Sequence, residues 1–593
     1  MTTKTGKKHN PWTFNRWLGV LGLALAFSSL IVEFGFRRPP VPRIHLHLAQ
    51  VGAAVLLWWS TVTLWLVEQR REFTWRKPVL DITLLVGLAG VLLFRKSLFP
   101  ESWWTAGGIS AGWRIFQVYL LILGLVRLGR ISMTAAAWGS APTRVLLLSF
   151  GVIILTGSFL LMLPGSHRGE RLGFTDAVFT STSATCVTGL IVRDTGGDFT
   201  RLGQTVILVL IQLGGLGIMI FGAMFALLLG SPLSLRESVA MRDIMNEQTP
   251  GRIGRVVVFI CLVTFALEAV GMAGMYGMWP AELGMGRRLY KSLFHAISSF
   301  CNAGFSLQAN SLVDYQGVWQ TYMILCPLIV LGGLGFPVLN NLWTILYHRF
   351  SRKRQLPAPG EGLTPARLSL HSKIVLVTTG ALLVFGFLLF MVLEMSRSDG
   401  GGGFSAGRLC LSSVFNSVTA RTAGFNTVAI EGLSAGSKLV LIFLMCVGGS
   451  PSSTAGGIKT VTFAVMVLTI YATMRRRRVV HAFKRSIPLM LIRRVATLIM
   501  LYGLLLWLLT LLLTITEHSG GRNMLDLLFE VASGLGTVGL STGVTSELTW
   551  AGKWVMIVAM FVGRLGPLSL LAALTFNVRP ERYEYPREPL VVG

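Results

Sequence analysis

Charged residues are scarce in this sequence, and their scarcity excludes a large soluble protein. Asp, Glu, Lys and Arg make up only 13% of the 593 residues, whereas 52% are hydrophobic. A soluble chain of this length needs about a quarter charged residues to cover its surface. Apolar stretches at 17–34, 48–66 and 498–515 are instead long enough to cross the roughly 30 Å hydrocarbon core of a bilayer. We therefore expect a multi-pass membrane protein.

Cysteine is also sparse, and its spacing argues against disulfide or zinc chemistry. None of the six cysteines forms a CxxC pair, and most lie in apolar stretches: Cys186, Cys261, Cys301, Cys326, Cys410 and Cys446. We interpret them as small buried thiols. No Ser/His/Asp, metal-ligand or carboxylate-pair pattern stands out either. The sequence therefore predicts neither an enzyme nor a bound cofactor.

Acidic residues are half as numerous as basic ones, 26 against 53, which leaves a net charge of +27. Nucleic-acid binding would explain such a charge, but the positions of the basic residues favour another reason. Three loops at 230–256, 348–373 and 475–494 hold 18 Lys and Arg in 73 residues, whereas the alternating segments hold 12 in 160. Lys and Arg collect in the cytoplasmic loops of membrane proteins. We therefore place these loops and both termini in the cytoplasm, place the chain in the inner (plasma) membrane, and expect no nucleic-acid partner.

Four segments of the chain repeat one pattern. An apolar span leads into a Phe-containing half-helix and a short polar stretch that ends in glycine, and another apolar span follows. The closing glycines Gly189, Gly304, Gly424 and Gly539 are 115, 120 and 115 residues apart. Chance seldom gives one motif four times at such constant spacing. We predict an all-α polytopic membrane protein in which four helix–pore loop–helix repeats surround one pore with pseudo-fourfold symmetry.

About four more transmembrane helices precede the first repeat. Basic residues precede the first apolar run, as in a signal peptide, but spans follow at once, so we interpret it as a retained helix. Only Arg127 and Arg130 have the every-third spacing of a voltage-sensor helix, which favours an accessory packing or assembly bundle. The expected segments are a basic tail at 1–16, the accessory helices at 17–140, pore repeats at 141–240, 250–350, 368–480 and 490–577, and a C-terminal tail at 578–593.

The four polar stretches are candidate filters of an ion path. Non-helical backbone at membrane depth survives only where it is buried in protein or lines water. Four such loops on one axis could replace the water shell of a cation with carbonyl oxygens, and glycine permits the required dihedral angles. A single glycine of this kind can equally serve close helix packing, but four in register argue against that explanation. The candidate filter residues are Thr185, Cys186, Val187, Thr188 and Gly189 in the first repeat, Cys301, Asn302, Ala303 and Gly304 in the second, Thr422, Ala423 and Gly424 in the third, and Gly536, Thr537, Val538 and Gly539 in the fourth.

On these motifs, the chain from about 144 to 577 resembles the Trk/Ktr/HKT superfamily of potassium transporters. The first and fourth motifs look like filters of that family, and the second and third are weaker matches. The resemblance implies that a potassium ion is the substrate, because glycine in the first filter, here Gly189, goes with potassium and serine with sodium preference. A sodium-translocating or sodium-coupled member of the superfamily is the alternative. A membrane-embedded enzyme is an alternative from another class, but it would need a polar catalytic cluster within the spans.

A small-residue segment interrupts the second span of repeat three. Its glycines and proline break the helix at membrane depth, so its backbone must line a cavity. A nucleotide-binding phosphate loop is excluded because Ile458 separates Gly457 from Lys459 and no strand precedes the segment. The segment resembles the intramembrane gating loop of the superfamily, and its candidate residues are Gly448, Gly449, Ser450, Pro451, Ser452, Ser453, Thr454, Ala455, Gly456, Gly457 and Lys459.

Arg564 lies in the middle of the last apolar span. An arginine at that depth costs about 2.5–3.5 kcal/mol on insertion scales, so we expect it to face the protein interior and to have a partner. It matches the arginine that the superfamily places beneath the filter, near the gating loop. The resemblance implies that Arg564 acts with the loop as a gate.

The resemblance also implies partners. It predicts a homodimer with one pore in each subunit and a cytoplasmic regulatory subunit that binds a nucleotide, so that a nucleotide reaches this chain only through its partner. Four consecutive arginines at 475–478 offer an acidic partner or anionic membrane lipids a landing site.

Overall fold

The structure is a computed structural model that describes residues 11–36, 40–68, 113, 116–117, 119–120, 142–217, 253–350, 367–396, 406–518 and 521–566. Within these ranges the chain is mostly helical, and the two strands, β1 (His481–Ala482) and β2 (Arg485–Ser486), form a two-residue antiparallel ladder. The predicted all-α fold class is confirmed. Most of the predicted third and fourth N-terminal spans, and the distal ends of the second spans of repeats one and four, lie outside the described residues.

Two N-terminal helices, α1 (Pro11–Gly35) and α2 (Arg43–Glu68), pack against each other. The buried carboxylate of Glu33 joins them, because it accepts hydrogen bonds from the side chains of Gln50 at 2.6 Å and Gln117 at 2.9 Å. The end of α1 also touches the first repeat, where the Gly165 N–H donates to the Gly35 carbonyl at 2.6 Å. The accessory segment is therefore attached to the loop that follows α3 in the first repeat.

Each repeat contains a long first helix, a short pore helix and a second span. The helices are α3 (Pro142–Met162), α4 (Phe174–Thr185) and α5 (Arg201–Leu216) in repeat one; α6 (Ile253–Met275), α7 (Gly284–Phe300), α8 (Cys326–Leu334) and α9 (Phe336–Phe350) in repeat two; α10 (Leu370–Met395), α11 (Ala406–Thr419), α12 (Ala435–Cys446) and α13 (Thr460–Met474) in repeat three; and α14 (Leu489–Thr516), α15 (Met524–Gly536) and α16 (Trp550–Leu565) in repeat four. A π-helical turn, Thr321–Leu325, leads into α8.

Apolar helices of membrane-spanning length occur in the described part of the chain. Four segments qualify by length and hydropathy: Leu18–Gly35, Val256–Met278, Leu370–Met395 and Leu489–Thr516. The last three correspond to the first spans of repeats two to four. Large apolar side chains on these helices are exposed, as expected of surfaces that face lipid.

Three of the second spans begin at a hydroxyl side chain. In three repeats a hydroxyl side chain caps the first turn: Thr200 accepts from the Gly203 N–H, Ser434 from Ser437 and Thr549 from Gly552. Three of the four second spans therefore begin with the same type of cap.

The second span of repeat two is bent, although its sequence predicts one helix over 319–347. The chain turns by 105° between Thr321–Leu334 and Phe336–Arg349. Gly335 lies at the bend with a positive φ of 86°, and a Cβ there would come within 2.6 Å of the Pro451 carbonyl oxygen. Glycine permits both the dihedral angle and the close approach. Repeats two and three therefore both carry a break in the second span, and the two breaks contact each other.

The pore helices occupy the centre of the molecule. Nine or ten positions before its closing glycine, each carries a fully buried phenylalanine, namely Phe179, Phe294, Phe415 and Phe529. These side chains anchor the four half-helices in separate hydrophobic clusters around the centre. The polar stretches that follow the half-helices are thereby brought together.

Candidate functional site

The four closing glycines form a closed ring. A Cβ on Gly189 would overlap the Ala303 carbonyl oxygen and lie 3.0 Å from the Cα of Gly304. Gly304 approaches Gly424 in the same way, Gly424 approaches Gly539, and Gly539 approaches Gly189. Glycine is required because the obstructing atoms are backbone atoms, which have no rotamer to change. Four segments that are widely separated in sequence therefore meet around one centre.

The backbone conformation repeats with the ring. All four glycines have positive φ angles, between 72° and 94°. The residue two positions earlier is also left-handed in each repeat, with φ of 56° at Val187, 58° at Asn302, 73° at Thr422 and 50° at Thr537. A left-handed non-glycine residue costs about 1–3 kcal/mol and persists where its surroundings enforce it. Four such residues in equivalent positions indicate a shared functional geometry.

The side chains of the candidate filter residues point into the protein. Cys186, Val187, Cys301, Ala303, Ala423 and Val538 are at most 1% exposed and belong to the hydrophobic clusters around the pore helices. The carbonyl oxygens of the residues directly before the closing glycines lie beside the closing glycine of a neighbouring segment: Thr188, Ala303, Ala423 and Val538. The interpretation of the cysteines as buried thiols agrees with this packing for both filter cysteines.

Hydroxyl groups of the pore helices hold the ring from behind. Ser183 donates to the Leu190 carbonyl at 2.7 Å and accepts from the Gly189 N–H at 3.1 Å. Ser298 donates to Phe305, Thr419 donates to Phe425, and Ser533 accepts from the Gly539 N–H. These four residues were not among the predicted site residues. The available signal was a hydroxyl residue five or six positions before each closing glycine.

The small-residue segment of repeat three forms a pinched loop. Its neck is closed where the Ile458 N–H donates to the Cys446 carbonyl at 3.0 Å and Val447 bridges to Ile458. The loop lies in the bend of repeat two: Ser450 N–H donates to Gly333 at 2.9 Å, and Phe336 N–H donates to Ser452 at 3.1 Å. The break in each second span is thus the contact surface for the other.

The loop also reaches the ring segments. The Thr454 hydroxyl donates to the carbonyl of Phe300, the last residue of α7, at 3.2 Å. A Cβ on Gly456 would overlap the side chain of Thr537, which precedes the closing glycine of repeat four by two positions. The loop therefore packs directly against the end of the pore helix of repeat two and against the ring segment of repeat four.

Three basic side chains bind carbonyl groups of this loop. Arg564 donates to the carbonyls of Thr454 and Gly214, and so joins the loop to the C-terminal end of α5. Lys459 donates to Ala455 at 2.6 Å, and Arg421 donates to Gly448 at 3.1 Å. Within the described part of the chain, none of the three forms an ion pair with a carboxylate. The expected partner of Arg564 is therefore a pair of carbonyls, and positive charge accumulates around the loop.

Two ion pairs join neighbouring repeats on the opposite side of the ring from the loop. Lys438 at the start of α12 contacts Asp526 in the first turn of α15 at 2.8 Å. Lys553 at the start of α16 contacts Asp176 in the first turn of α4 at 2.7 Å. Both pairs link a second span to the pore helix of the next repeat.

The fold and the site define a membrane-embedded protein in which four re-entrant segments converge on one glycine ring beside a buried loop. Within that class, the chain belongs to the TrkH family of cation transport proteins, whose family profile matches residues 139–582. The matched region begins after most of the accessory helices.

Curated relatives cover the same region. The chain is 36% identical over 459 residues to the Ktr system potassium uptake protein B of Vibrio alginolyticus, which covers 77% of this chain and 96% of the relative. It is 33% identical over 457 residues to the potassium/sodium uptake protein NtpJ of Enterococcus hirae, covering 76% and 97%. The crystal structure of the potassium transporter TrkH from Vibrio parahaemolyticus is similar in fold, with a TM-score of 0.58 and 19% identity over 84% of this chain and 96% of that one.

Proposed function

We propose that this protein carries potassium ions across the cytoplasmic membrane through the glycine ring. The observation that carries the proposal is the closed ring itself, in which four segments with the same left-handed dihedral angles bring backbone carbonyl groups to one centre. Carbonyl oxygens can replace the hydration shell of a dehydrating cation. The relatives named for potassium uptake support potassium as the substrate.

The filter in this proposal consists of the segments that end at Gly189, Gly304, Gly424 and Gly539. Ser183 and its counterparts in the other repeats hold the segments in place by hydrogen bonds. A filter that collapsed around a smaller ion would lose its preference for potassium. Side chains packed outward support this role, since the ring then presents the same backbone groups from every repeat.

The gate in this proposal is the loop at 448–459 together with Arg564. Packing of the loop against filters two and four supports a closed path, and the basic side chains that bind its carbonyls add an electrostatic barrier to a cation. Opening would require the loop to leave the bend at Gly335. The loop is attached there by backbone hydrogen bonds that can be exchanged for bonds to water.

Sodium transport is the second candidate. The Enterococcus hirae relative is named for uptake of both potassium and sodium, and it matches this chain about as well as the potassium-named relatives do. The family resemblance favours potassium, because glycine at the position of Gly189 goes with potassium in the superfamily. A side chain at this position would meet the backbone of the second ring segment and alter the ring.

The test is growth of a potassium-uptake-deficient bacterium on low potassium with this chain, with Gly189→Ser as the matched variant. We expect the wild-type chain to support growth and its rubidium flux to exceed its sodium flux. The Gly189→Ser chain should lose that preference. An unchanged preference in the variant would remove Gly189 from the filter, and a sodium flux above the rubidium flux in the wild-type chain would favour the second candidate.

We also propose a homodimer and a cytoplasmic nucleotide-binding regulatory subunit. The exposed arginines at 475–478, directly after α13, lie where a partner or anionic lipids could influence the loop through that helix. If growth with the chain alone fails but growth with a co-expressed regulatory subunit succeeds, the partner is required.

A further inference from the structure

Arg421 is a buried cation with an unusual partner. It lies in the turn after α11, directly before the filter residue Thr422, and is 8% exposed. One terminal nitrogen of its guanidinium donates to the Gly448 carbonyl at 3.1 Å. Within the described residues, this is the only hydrogen bond that the Arg421 side chain makes. A charged group is costly to bury unless it is bound, so the loss of this carbonyl would leave the guanidinium poorly satisfied.

Gly448 lies in the neck of the loop. Its neighbours Val447 and Ile458 form the bridge that closes the neck, and a Cβ on Gly448 would overlap the Gly456 carbonyl oxygen. Arg421 therefore binds the place where the two ends of the loop meet. Arg564 binds the loop at a different point, the Thr454 carbonyl. The two arginines fasten the loop to different repeats, the third and the fourth.

The other side of the guanidinium faces a small cavity. The Arg421 Nε and the Thr379 hydroxyl are both buried, and neither has a hydrogen-bond partner among the described residues. Both residues line a cavity of about 10 Å³, together with Gly333 and Gly449. That volume is roughly what one water molecule requires, and the two polar groups supply the contacts that such a water needs.

We propose that Arg421 is a positioning residue that latches the closed loop to filter three, and that one water molecule between its Nε and the Thr379 hydroxyl holds the guanidinium in place. The latch rests on the proposed gate. When the loop withdraws, the Gly448 carbonyl leaves the guanidinium, and the closed state loses one hydrogen bond from a charged donor. A movement of the loop therefore reaches filter three through Arg421, which directly precedes the first filter residue, Thr422.

The experiment measures rubidium-86 uptake into vesicles that contain the full chain alone. Arg421→Met removes the donor but keeps much of the side-chain volume, Arg421→Lys keeps a charge and one donor, and Arg564→Met reports on the gate itself. Arg168→Met is the control for loss of an arginine, because Arg168 is exposed and its side chain has no partner among the described residues. Sodium uptake is measured in parallel, because a change in filter structure alters the ratio of rubidium to sodium whereas release of a latch does not. Arg421→Gln, which keeps a hydrogen-bonding group in the turn, replaces Arg421→Met if the latter is not obtained as folded protein.

We expect Arg421→Met to raise rubidium uptake about tenfold, the change for losing one hydrogen bond from a charged donor, with an unchanged ratio of rubidium to sodium. Arg421→Lys and Arg168→Met should stay near the wild-type rate. If Arg564→Met raises uptake and Arg421→Met does not, the latch is refuted and the gate stands. If neither raises uptake, the gate proposal and the latch both fall. A higher uptake with a lost ion preference would show that Arg421 shapes the filter and does not latch the loop.

Discussion

Glu530 offers a sharp test of how the fourth ring segment is held. This side chain is fully buried in α15, and its carboxylate binds the segment that follows the ring. One oxygen accepts from the Ser541 hydroxyl at 2.8 Å, the Thr542 N–H at 2.8 Å and the Thr542 hydroxyl at 3.0 Å. The other accepts from the Thr545 hydroxyl. The carboxylate thus stabilises residues that begin two positions after Gly539.

Glu530→Gln keeps the shape and one oxygen but removes the charge. The amide oxygen can still accept the three bonds at one end, and the amide nitrogen can donate to the Thr545 hydroxyl. Each retained bond loses its charge assistance, which accounts for about half of its strength. With about 1 kcal/mol lost at each of three bonds, we expect a cost of about 2–3 kcal/mol to the local structure.

The matched control is Glu517→Gln. Glu517 is also buried, and one of its oxygens accepts from the Thr549 N–H at 2.9 Å and the Thr549 hydroxyl at 2.7 Å. These bonds cap α16 and do not touch the ring segment. Both variants should therefore melt at lower temperature in detergent. Only Glu530→Gln should lose the additional stabilisation that potassium gives by binding the folded state.

The assay is thermal unfolding followed by intrinsic fluorescence, with potassium or a large organic cation as the salt. If Glu530→Gln lowers the melting temperature but leaves the potassium-dependent increase intact, the network supports the fold without shaping the ring. If Glu530→Gln melts at the same temperature as the wild-type protein, Glu530 does not act as an ionised acceptor, and its four hydrogen bonds carry no charge assistance.

Two further predictions concern the ion pair between Lys553 and Asp176 and the accessory helices. A double-mutant cycle on Lys553→Met and Asp176→Asn should give a coupling of about 1 kcal/mol in thermal unfolding, because both side chains are largely buried at the junction of repeats four and one; additive effects would mean that the pair contributes nothing. Deletion of residues 1–135 should leave the voltage dependence of recorded currents unchanged, and a shallower activation would assign the segment a sensor role. The deletion should lower the melting temperature, since it removes the contact between Gly35 and Gly165.

The ring could be predicted from the sequence because its signal is repetitive. Four closing glycines at nearly constant spacing predict four equivalent loops. Equivalent repeats in one membrane protein are expected to surround a common axis, so their loops lie close together there. The interruption at 448–459 was equally visible, since proline and clustered glycines cannot continue a helix. Arg564 was predicted to face the interior because the membrane leaves few other places for its charge.

The bend at Gly335 was missed although a signal was present. Gly332, Gly333, Gly335 and Pro337 lie within six residues, but an apolar stretch long enough for one span surrounds them. Hydropathy therefore favoured a single helix. What decides the bend is the loop of repeat three, whose Pro451 carbonyl occupies the space beside Gly335, and sequence patterns do not report a contact of that kind. The hydroxyl groups behind the ring were missed for a related reason, because serine and threonine are common throughout the pore helices.

The contacts between repeats distribute support unequally around the ring. The residues 13 positions before the closing glycines are Asp176 and Asp526 in repeats one and four, but Lys291 and Leu411 in repeats two and three. Only the first two can form the ion pair that a lysine of the preceding repeat offers. The pore helices of repeats two and three have instead the loop as a neighbour, through the Phe300 carbonyl and Arg421. Ion pairs thus support the half of the ring formed by repeats four and one, whereas the loop supports the pore helices of repeats two and three. Because Gly456 of the loop also packs against Thr537, a movement of the loop in the proposed gate would reach the ring segment of repeat four as well.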